Sequence, residues 1–150
     1  MILRSITNQQ LAEDPNLLWN NFIDLLAIED FDVLTAEQRP AHLVFWYESE
    51  VENGGHLQYF ENWGTERLPE TIQALELFGA ECQMKILIEA GKQWTSIYRN
   101  HPETVEEFVA TALEGDLEEF DRQFHKCKIS LNSLLEAHLL QFSDNFVQLS

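Results

Sequence analysis

The chain has 150 residues, 45% of them hydrophobic, and a formal net charge of −17. This length predicts a single domain over residues 1–150, in which roughly 70% of the unfolded surface can be buried. The apolar fraction excludes a disordered chain. The negative charge disfavours direct binding to nucleic acid and to membranes, because phosphates and anionic lipids would repel the protein.

The charge is larger than solubility requires, since a magnitude of about 2–8 suffices for a small domain. Its self-repulsion costs stability, which a cationic partner would offset. B-DNA carries one charge per about 1.7 Å, so the charge of this chain equals that of roughly 29 Å of duplex, on the scale of the domain itself. The alternative is an acidic protein whose charge only keeps it soluble.

Two cysteines, Cys82 and Cys127, are too few to indicate a disulfide framework. The first residues lack the pattern of a signal peptide, and no apolar run is long enough to cross a bilayer. The sequence therefore predicts a reduced, cytoplasmic protein.

The N-terminal third is predicted to be helical after a short irregular start. Residues 1–10 are expected to be extended or to form a brief helical turn. Asp14 as N-cap and Pro15 at the first helical position predict a helix that ends at residues 28–30.

A glycine corner interrupts the next helix. Thr35 and Gln38 form a capping box that starts this helix. Asn53 and the two glycines after it end the helix, and Gly54 is expected near the C′ position, where positive φ is needed. A hairpin is the alternative for Asn-Gly, but the apolar residues before it recur at helical spacing.

A short second helix is predicted from Leu57, and Asn62 and Gly64 indicate its end. A phosphate-binding loop is disfavoured, since it needs further glycines, a preceding strand and usually a lysine. The aromatic residues of this region are expected to pack together, namely Trp46, Tyr59, Phe60 and Trp63. The side chains of Asn53 and Asn62 are expected to bind backbone groups.

Further helices are predicted in the second half of the chain, over residues 70–78, 80–98, 104–113 and 117–128, and from a cap at Ser130 or Asn132. Gly79 ends the first of them, and Gly91 allows a close helix approach in the second. Lys85, Lys92 and Arg99 form a basic stripe, for which a solvated face is the alternative. The predicted fold is all-α, a single compact multi-helix domain with a glycine corner between helices.

The corner also carries a resemblance. The run Glu50-Val-Glu-Asn-Gly-Gly-His-Leu-Gln-Tyr-Phe-Glu-Asn-Trp-Gly64 resembles the signature of a bacterial family of unknown function. That family includes a DNA-mimic protein reported to bind a helix-turn-helix transcription factor in place of DNA. The matching positions are Glu50, Asn53, Gly54, Gly55, Gln58, Tyr59, Phe60, Asn62 and Gly64, whereas His56 stands where Phe is usual and Glu52 where Asn is usual. The resemblance implies a helical fold and, for some members, DNA mimicry.

Catalytic and metal-binding signatures are sparse. His125 and Cys127, with Asp121 one turn earlier, form half of a metal site, but no second half is visible and neither a metal nor a cofactor is predicted. No nucleophile elbow or other catalytic motif is found, so no catalytic residue is assigned and the protein is predicted not to be an enzyme. The alternative is an enzyme that uses His56 and a nearby glutamate in a pocket at the corner.

Two acidic stretches remain as candidate binding surfaces. Residues 103–121 contain eight acids and neither Lys nor Arg. These predicted partner-binding residues are Glu103, Glu106, Glu107, Glu114, Asp116, Glu118, Glu119 and Asp121. Residues 48–81 contain eight acids and a single basic residue, Arg67. The alternative for both stretches is a solvated face.

Together, the charge and the resemblance predict a DNA mimic that occupies the DNA-binding surface of a basic protein such as a helix-turn-helix regulator. An immunity or inhibitor protein for a basic nuclease toxin is the alternative, because the same charge would serve it. A homodimer is a further hypothesis about partners.

Overall fold

The computed structural model describes the backbone of residues 1–100 and 117–150, and the side chains of residues 1–96 and 117–150. The helices are α1 Asn8–Glu13, α2 Leu17–Ile28, α3 Arg39–Trp63, α4 Leu68–Leu77, α5 Glu81–Asn100, α6 over residues 117–126, and α7 Leu131–Phe142. Short 3₁₀ turns cover Phe31–Val33 and Ser143–Asn145. The predicted all-α class is confirmed.

A small sheet joins the two ends of the chain, and the sequence did not predict it. Strand β1, Arg4–Ile6, pairs in parallel with strand β2, Val147–Leu149. Each strand has three residues, which is too short for an alternating pattern to be recognised in the sequence. Ile6 and Val147 are buried, so the sheet adds to the core as well as holding the ends together.

The start of α2 differs from the prediction. Asp14 does not cap this helix, because it is the C-cap of the preceding helix, α1. Helix α1 itself begins with a capping box formed by Thr7 and Gln10. The Asp14 carboxylate instead accepts a hydrogen bond from the Asn16 backbone N–H at 3.1 Å. The helix begins two residues later than expected, at Leu17, and its predicted end at residue 28 is confirmed.

The capping box before α3 is confirmed and reaches further than predicted. The Thr35 hydroxyl accepts from the Gln38 N–H at 3.3 Å, and the Gln38 Oε1 accepts from the Thr35 N–H at 3.1 Å. The buried Gln38 amide also donates to the carbonyl oxygens of Ile2 and Asn145, at 2.7 and 2.8 Å. One side chain therefore links the start of α3 to both ends of the chain.

Helix α3 lies at the centre of the fold and contacts α2, α4 and α7. Its buried side chains meet those of the other helices, as in the stacked rings of Phe60 and Trp94, whose centroids are 5.3 Å apart. The close approach predicted at Gly91 is confirmed, since a Cβ there would lie 2.7 Å from a methyl group of Leu68. Gly79 ends α4 with φ 74°, also as predicted.

The last helix, α7, is capped by Ser130, whose hydroxyl accepts from the Ser133 N–H at 3.1 Å. Its buried face consists of Leu131, Leu135 and Leu139, whereas Phe142 is 40% exposed. Phe146 does not extend the helix. It is fully buried just before β2.

The expected reduced state of the cysteines is wrong in this structure. Cys82, in the first turn of α5, forms a disulfide with Cys127, which directly follows α6. The two residues are 45 positions apart, and only the docking of these helix ends brings them together. Among the described residues, no helix has both the length and the apolar character needed to cross a membrane.

Candidate functional site

The glycine corner divides α3 into two helical segments. Gly54 has φ −151° and ψ 17°, and Gly55 has φ 76° and ψ −177°, both outside helical geometry. The helix–corner–helix prediction is therefore confirmed, and the second stop is at Gly64, with φ 61°. The positive φ falls on Gly55 rather than on Gly54, so the conformation expected for Gly54 is wrong.

Both glycines also make room for a side chain. The side chain of Gln58 lies over Gly54, and a Cβ on Gly54 would collide with it. The carboxylate of Asp121, from α6, lies over Gly55 in the same way. Gly54 is thus required for space, and Gly55 for space and for its left-handed backbone.

The polar residues of the motif bind one another across the corner. Asn53 Nδ2 donates to Gln58 Oε1 at 3.2 Å, and Gln58 Nε2 donates to Glu50 Oε2 at 3.2 Å. Asn62 Nδ2 donates to the same oxygen of Glu50 at 2.6 Å. The expected bonds from Asn53 and Asn62 to backbone groups are therefore wrong. These side chains connect the two segments of α3, with the buried Glu50 as the shared acceptor.

A second hydrogen-bonded group lies on the other side of the corner. The Nδ1 atom of His56 is 2.6 Å from Asp121 Oδ1, and the His56 backbone N–H donates to the same oxygen at 2.8 Å. The other ring nitrogen, Nε2, is 2.7 Å from the hydroxyl of Tyr47. Tyr47 and His56 are both completely buried.

The electrostatics assign protons to this group. Burial works to raise the pKa of Asp121, but the hydrogen bonds and charge of His56 outweigh it and hold the pKa below its usual value of 3.8. Burial raises the pKa of Tyr47 well above 10.0, so its hydroxyl keeps its proton. The Nδ1–H of His56 donates to Asp121, and the Tyr47 hydroxyl lies within hydrogen-bonding distance of Nε2, so both ring nitrogens have a partner.

This arrangement is a part of the scaffold. Phe124 of α6 packs edge-on against both Tyr47 and His56, with ring centroids 5.7 and 6.0 Å away. The side chain of His56 lies inside the core. A completely buried base is not accessible to a dissolved substrate, so the geometry does not favour the hypothesis of an enzyme that uses His56.

The predicted partner-binding residues fall into three groups. Glu118 and Glu119 are exposed on α6. Glu119 is hydrogen-bonded to Arg122 at 2.6 Å, which lowers the pKa of its carboxyl. The carboxylate of Asp121 points toward His56 and is hydrogen-bonded to it at the glycine corner. The others lie outside the described residues, namely Glu103, Glu106, Glu107, Glu114 and Asp116.

Acids from the second stretch meet α6 beside the corner. Glu48 and Glu52 lie one turn apart on α3, and burial together with the charge of Glu52 raises the pKa of Glu48. The Glu52 carboxylate is 3.6 Å from His125 of α6. Helices α3 and α6 therefore present carboxylates from both acidic stretches on adjoining surfaces, around a rigid corner.

Several other expectations are decided by the same contacts. The predicted aromatic cluster consists of two pairs, Trp46 with Trp63 at 5.6 Å and Tyr59 with Phe60 at 5.2 Å. The half-site hypothesised at His125 and Cys127 does not form a metal site, because the Cys127 sulfur is bonded to Cys82.

The basic stripe is a solvated face where it is described. Lys85 pairs with Glu81 at 2.9 Å and Lys92 with Glu89 at 3.2 Å, and all four side chains are exposed. The side chain of Arg99 lies outside the described residues.

Two buried or half-buried histidines were missed by the sequence reasoning. His42 is 2% exposed, and its Nδ1 atom has no hydrogen-bond partner within the part of the chain that the structure describes. The buried Nε2 atom of His138 likewise has none there. The signal for His42 was its position within the apolar run Ala41–Val44, four residues before Trp46.

Comparison with known protein families identifies a match over most of the chain. The model of a family described as DMP19-like protein matches residues 32–142, which include the corner, α6 and both acidic stretches. No curated protein and no solved structure matches the chain significantly.

Proposed function

The chain belongs to the DMP19-like protein family, and on this basis we propose that it is a non-enzymatic DNA mimic that binds a DNA-binding protein in place of DNA. The family match carries this proposal, and the net charge of −17 supports it. The partner is a basic protein such as a helix-turn-helix regulator, and both proteins act in the cytoplasm, where the DNA is.

In this mechanism, carboxylates take the place of phosphates on the partner's lysines and arginines. Glu118 and Glu119 are the described members of the proposed surface, and the acids of residues 103–116 complete it. Glu48 and Glu52 continue the negative surface on α3. Each contact releases counterions from the partner, so binding weakens as salt rises, as it does for DNA.

The corner has a supporting part in this proposal. The hydrogen bonds of His56 to Asp121 hold α6 against α3, and the acids on both helices thereby keep a constant spacing. A constant spacing matters because phosphates on a duplex lie at regular intervals, and a partner built for DNA presents its cations to match. The motif therefore contributes to function through position rather than through contact.

The proposal is tested by competition for DNA. DNA-binding proteins captured from a lysate at low salt are purified, loaded with labelled target DNA and titrated with this protein. We expect at least one of them to release its DNA. Release by no cognate regulator or nucleoid protein would contradict the proposal, and inhibition of a captured nuclease without displacement of a regulator would favour the immunity alternative.

The surface is tested with two variants of equal charge change. In the first, Glu106, Glu107, Glu118 and Glu119 are replaced by Gln. In the control, Glu13, Glu37, Glu136 and Asp144, exposed and outside both stretches, are replaced by the matching amides. We expect the first variant to bind at least about tenfold more weakly, with a salt slope reduced by about 3, and the control to bind nearly as wild type. Equal effects would move the site elsewhere, with Glu48 and Glu52 as the next candidates.

A further inference from the structure

A second concave site lies where the two ends of α3 approach each other, with the ring centroids of Trp46 and Trp63 5.6 Å apart. A cavity of about 450 Å³ opens between the 3₁₀ turn Phe31–Val33 and the helix, with Trp46 and Trp63 in its wall. The carboxylate-bearing residues Asp30 and Asp32 also line it. Aromatic faces next to carboxylates form a surface suited to a cation.

The chain's own Arg67 demonstrates which cation fits. Its guanidinium carbon lies 3.7 Å from the centroid of the Phe31 ring, and its Nη2 is 3.3 Å from Asp32 Oδ1. One group therefore makes a cation–π contact and an ion pair at once. Arg39 lies against the same ring at 4.5 Å, with its Nε donating to the Phe31 carbonyl oxygen. Phe31 thus already receives planar guanidinium groups.

His42 also lines the cavity. Its side chain is 2% exposed, and burial lowers its pKa to about 4, so the ring is neutral at pH 7. A neutral ring in the wall adds no positive charge that would repel a bound cation.

Arg67 has a second carboxylate nearby in addition to that of Asp32. Its Nη1 atom is 3.9 Å from the carboxylate of Glu70, which is half exposed on α4. Rotation toward Glu70 would vacate the face of Phe31 and the exposed carboxylate of Asp32. In that rotated position, Arg67 would keep one ion pair while the face of Phe31 is open.

We infer that this cavity binds the guanidinium of an arginine side chain from the basic partner, which takes the place of Arg67 over Phe31 and beside Asp32. The inference rests on the proposed function for the source of the arginine. It adds a second site, separate from the surface on which the acids of α3 and α6 adjoin. Arginine is favoured over lysine, because a planar group stacks on a ring while it binds a carboxylate.

The test uses a short peptide and the indole N–H signals of the protein. Acetyl-Gly-Arg-Gly-amide is titrated into the full chain and followed by nuclear magnetic resonance, with Trp46→Phe and Trp63→Phe used to assign the two signals. We expect these two signals to shift and saturate in about the millimolar range, while those of Trp19 and Trp94 remain in place. The same peptide with citrulline, which keeps the shape but lacks the charge, should bind about tenfold more weakly.

Three substitutions examine the mechanism. Arg67→Gln removes the resident guanidinium and should tighten peptide binding about fivefold, because the site no longer has to be vacated. Lys92→Gln removes one ion-paired cation from an exposed site that does not line the cavity and should change binding little. Asp32→Asn, at an exposed position that tolerates change, should weaken binding. Equal binding of the arginine and citrulline peptides, or equal effects of Arg67→Gln and Lys92→Gln, would overturn the inference.

The outcome separates this inference from the proposed function. Displacement of DNA from a regulator with no shift at Trp46 or Trp63 would refute the cavity and leave DNA mimicry in place. Saturable binding of the arginine peptide without displacement of DNA from any partner would support the cavity and contradict the proposed function.

Discussion

The carboxylate oxygen Oδ1 of Asp121 accepts two hydrogen bonds from His56, one from the backbone N–H at 2.8 Å and one from ring Nδ1 at 2.6 Å, across 65 residues of sequence. His56 is the first residue after the glycine corner, so the carboxylate binds the first N–H of the second helical segment. An acid that the sequence placed on a partner surface is thus the cap of a helix elsewhere in the chain.

Replacing Asp121 by Ala should destabilise the protein, since two buried donors of His56 would lose their acceptor. We expect the free energy of unfolding to fall by about 2–4 kcal/mol. Urea denaturation followed by circular dichroism measures the loss. Glu118→Ala, on the exposed side of the same helix, is the matched control and should leave the midpoint almost unchanged. Similar losses in both variants would show that Asp121 is only a surface acid.

Two glycines have positive φ, Gly55 within α3 and Gly64 directly after it. Substituting each of them separates the cost of backbone strain from the cost of a steric collision. Gly55→Ala introduces both, because its Cβ would meet the Asp121 carboxylate, whereas Gly64→Ala introduces strain alone, with no atom within 4 Å of its Cβ. We expect Gly64→Ala to cost about 1–2 kcal/mol and Gly55→Ala clearly more. Thermal unfolding compares the two variants. If both melt at the same temperature, the contact between α6 and the corner is not rigid.

The disulfide between Cys82 and Cys127 should contribute to stability. It closes a loop that spans 45 residues, and the loss of such a constraint typically costs about 2–4 kcal/mol. We expect a thiol reductant to lower the melting temperature of the protein. The Cys82→Ser, Cys127→Ser variant should melt at that lower temperature with or without reductant. Equal melting temperatures for the oxidised and reduced protein would contradict a structural role.

Acid should weaken the fold through a buried histidine. The folded-state pKa of His42 is lowered to about 4 by burial, below the ordinary value of 6.5 that a histidine has in an unfolded chain. Between these values the unfolded state binds a proton that the folded state does not, so stability is complete above pH 6.5 and is lost as the pH falls toward 4. This loss amounts to at most about 3 kcal/mol, and the lowered pKa of His138 adds to it in the same direction.

The measurement is the free energy of unfolding in urea at several pH values between 7 and 4. His42→Leu should flatten the curve in this window, and the exposed His125→Gln should not. Asp121 contributes to the pH dependence at lower pH. Because its pKa is lowered in the folded state, it stabilises the fold above about pH 3.8, and this contribution is lost as the pH falls further. A curve for His42→Leu parallel to that of the wild type would show that His42 does not titrate as a buried group.

Local signals in the sequence predicted the helices and the corner well. The capping box at Thr35 and Gln38, the end of α4 at Gly79 and the serine cap of α7 each depend on neighbours within four residues. The misplaced start of α2 arose because α1 uses Asp14 at its own end. The small sheet was not predicted, because its two strands lie at opposite ends of the chain.

The sequence by itself determined the helical class, the existence of a corner at Gly54 and Gly55, and the excess of negative charge, because these follow from composition and from spacings shorter than a helical turn. Only the tertiary structure decided which charges face the solvent. It turned Asp121 inward to His56 while leaving Glu118 exposed, joined Cys82 to Cys127, and placed Arg67 on Phe31. Each of these pairings depends on how helices dock, and docking is set by the packing of the whole core, which no local pattern encodes.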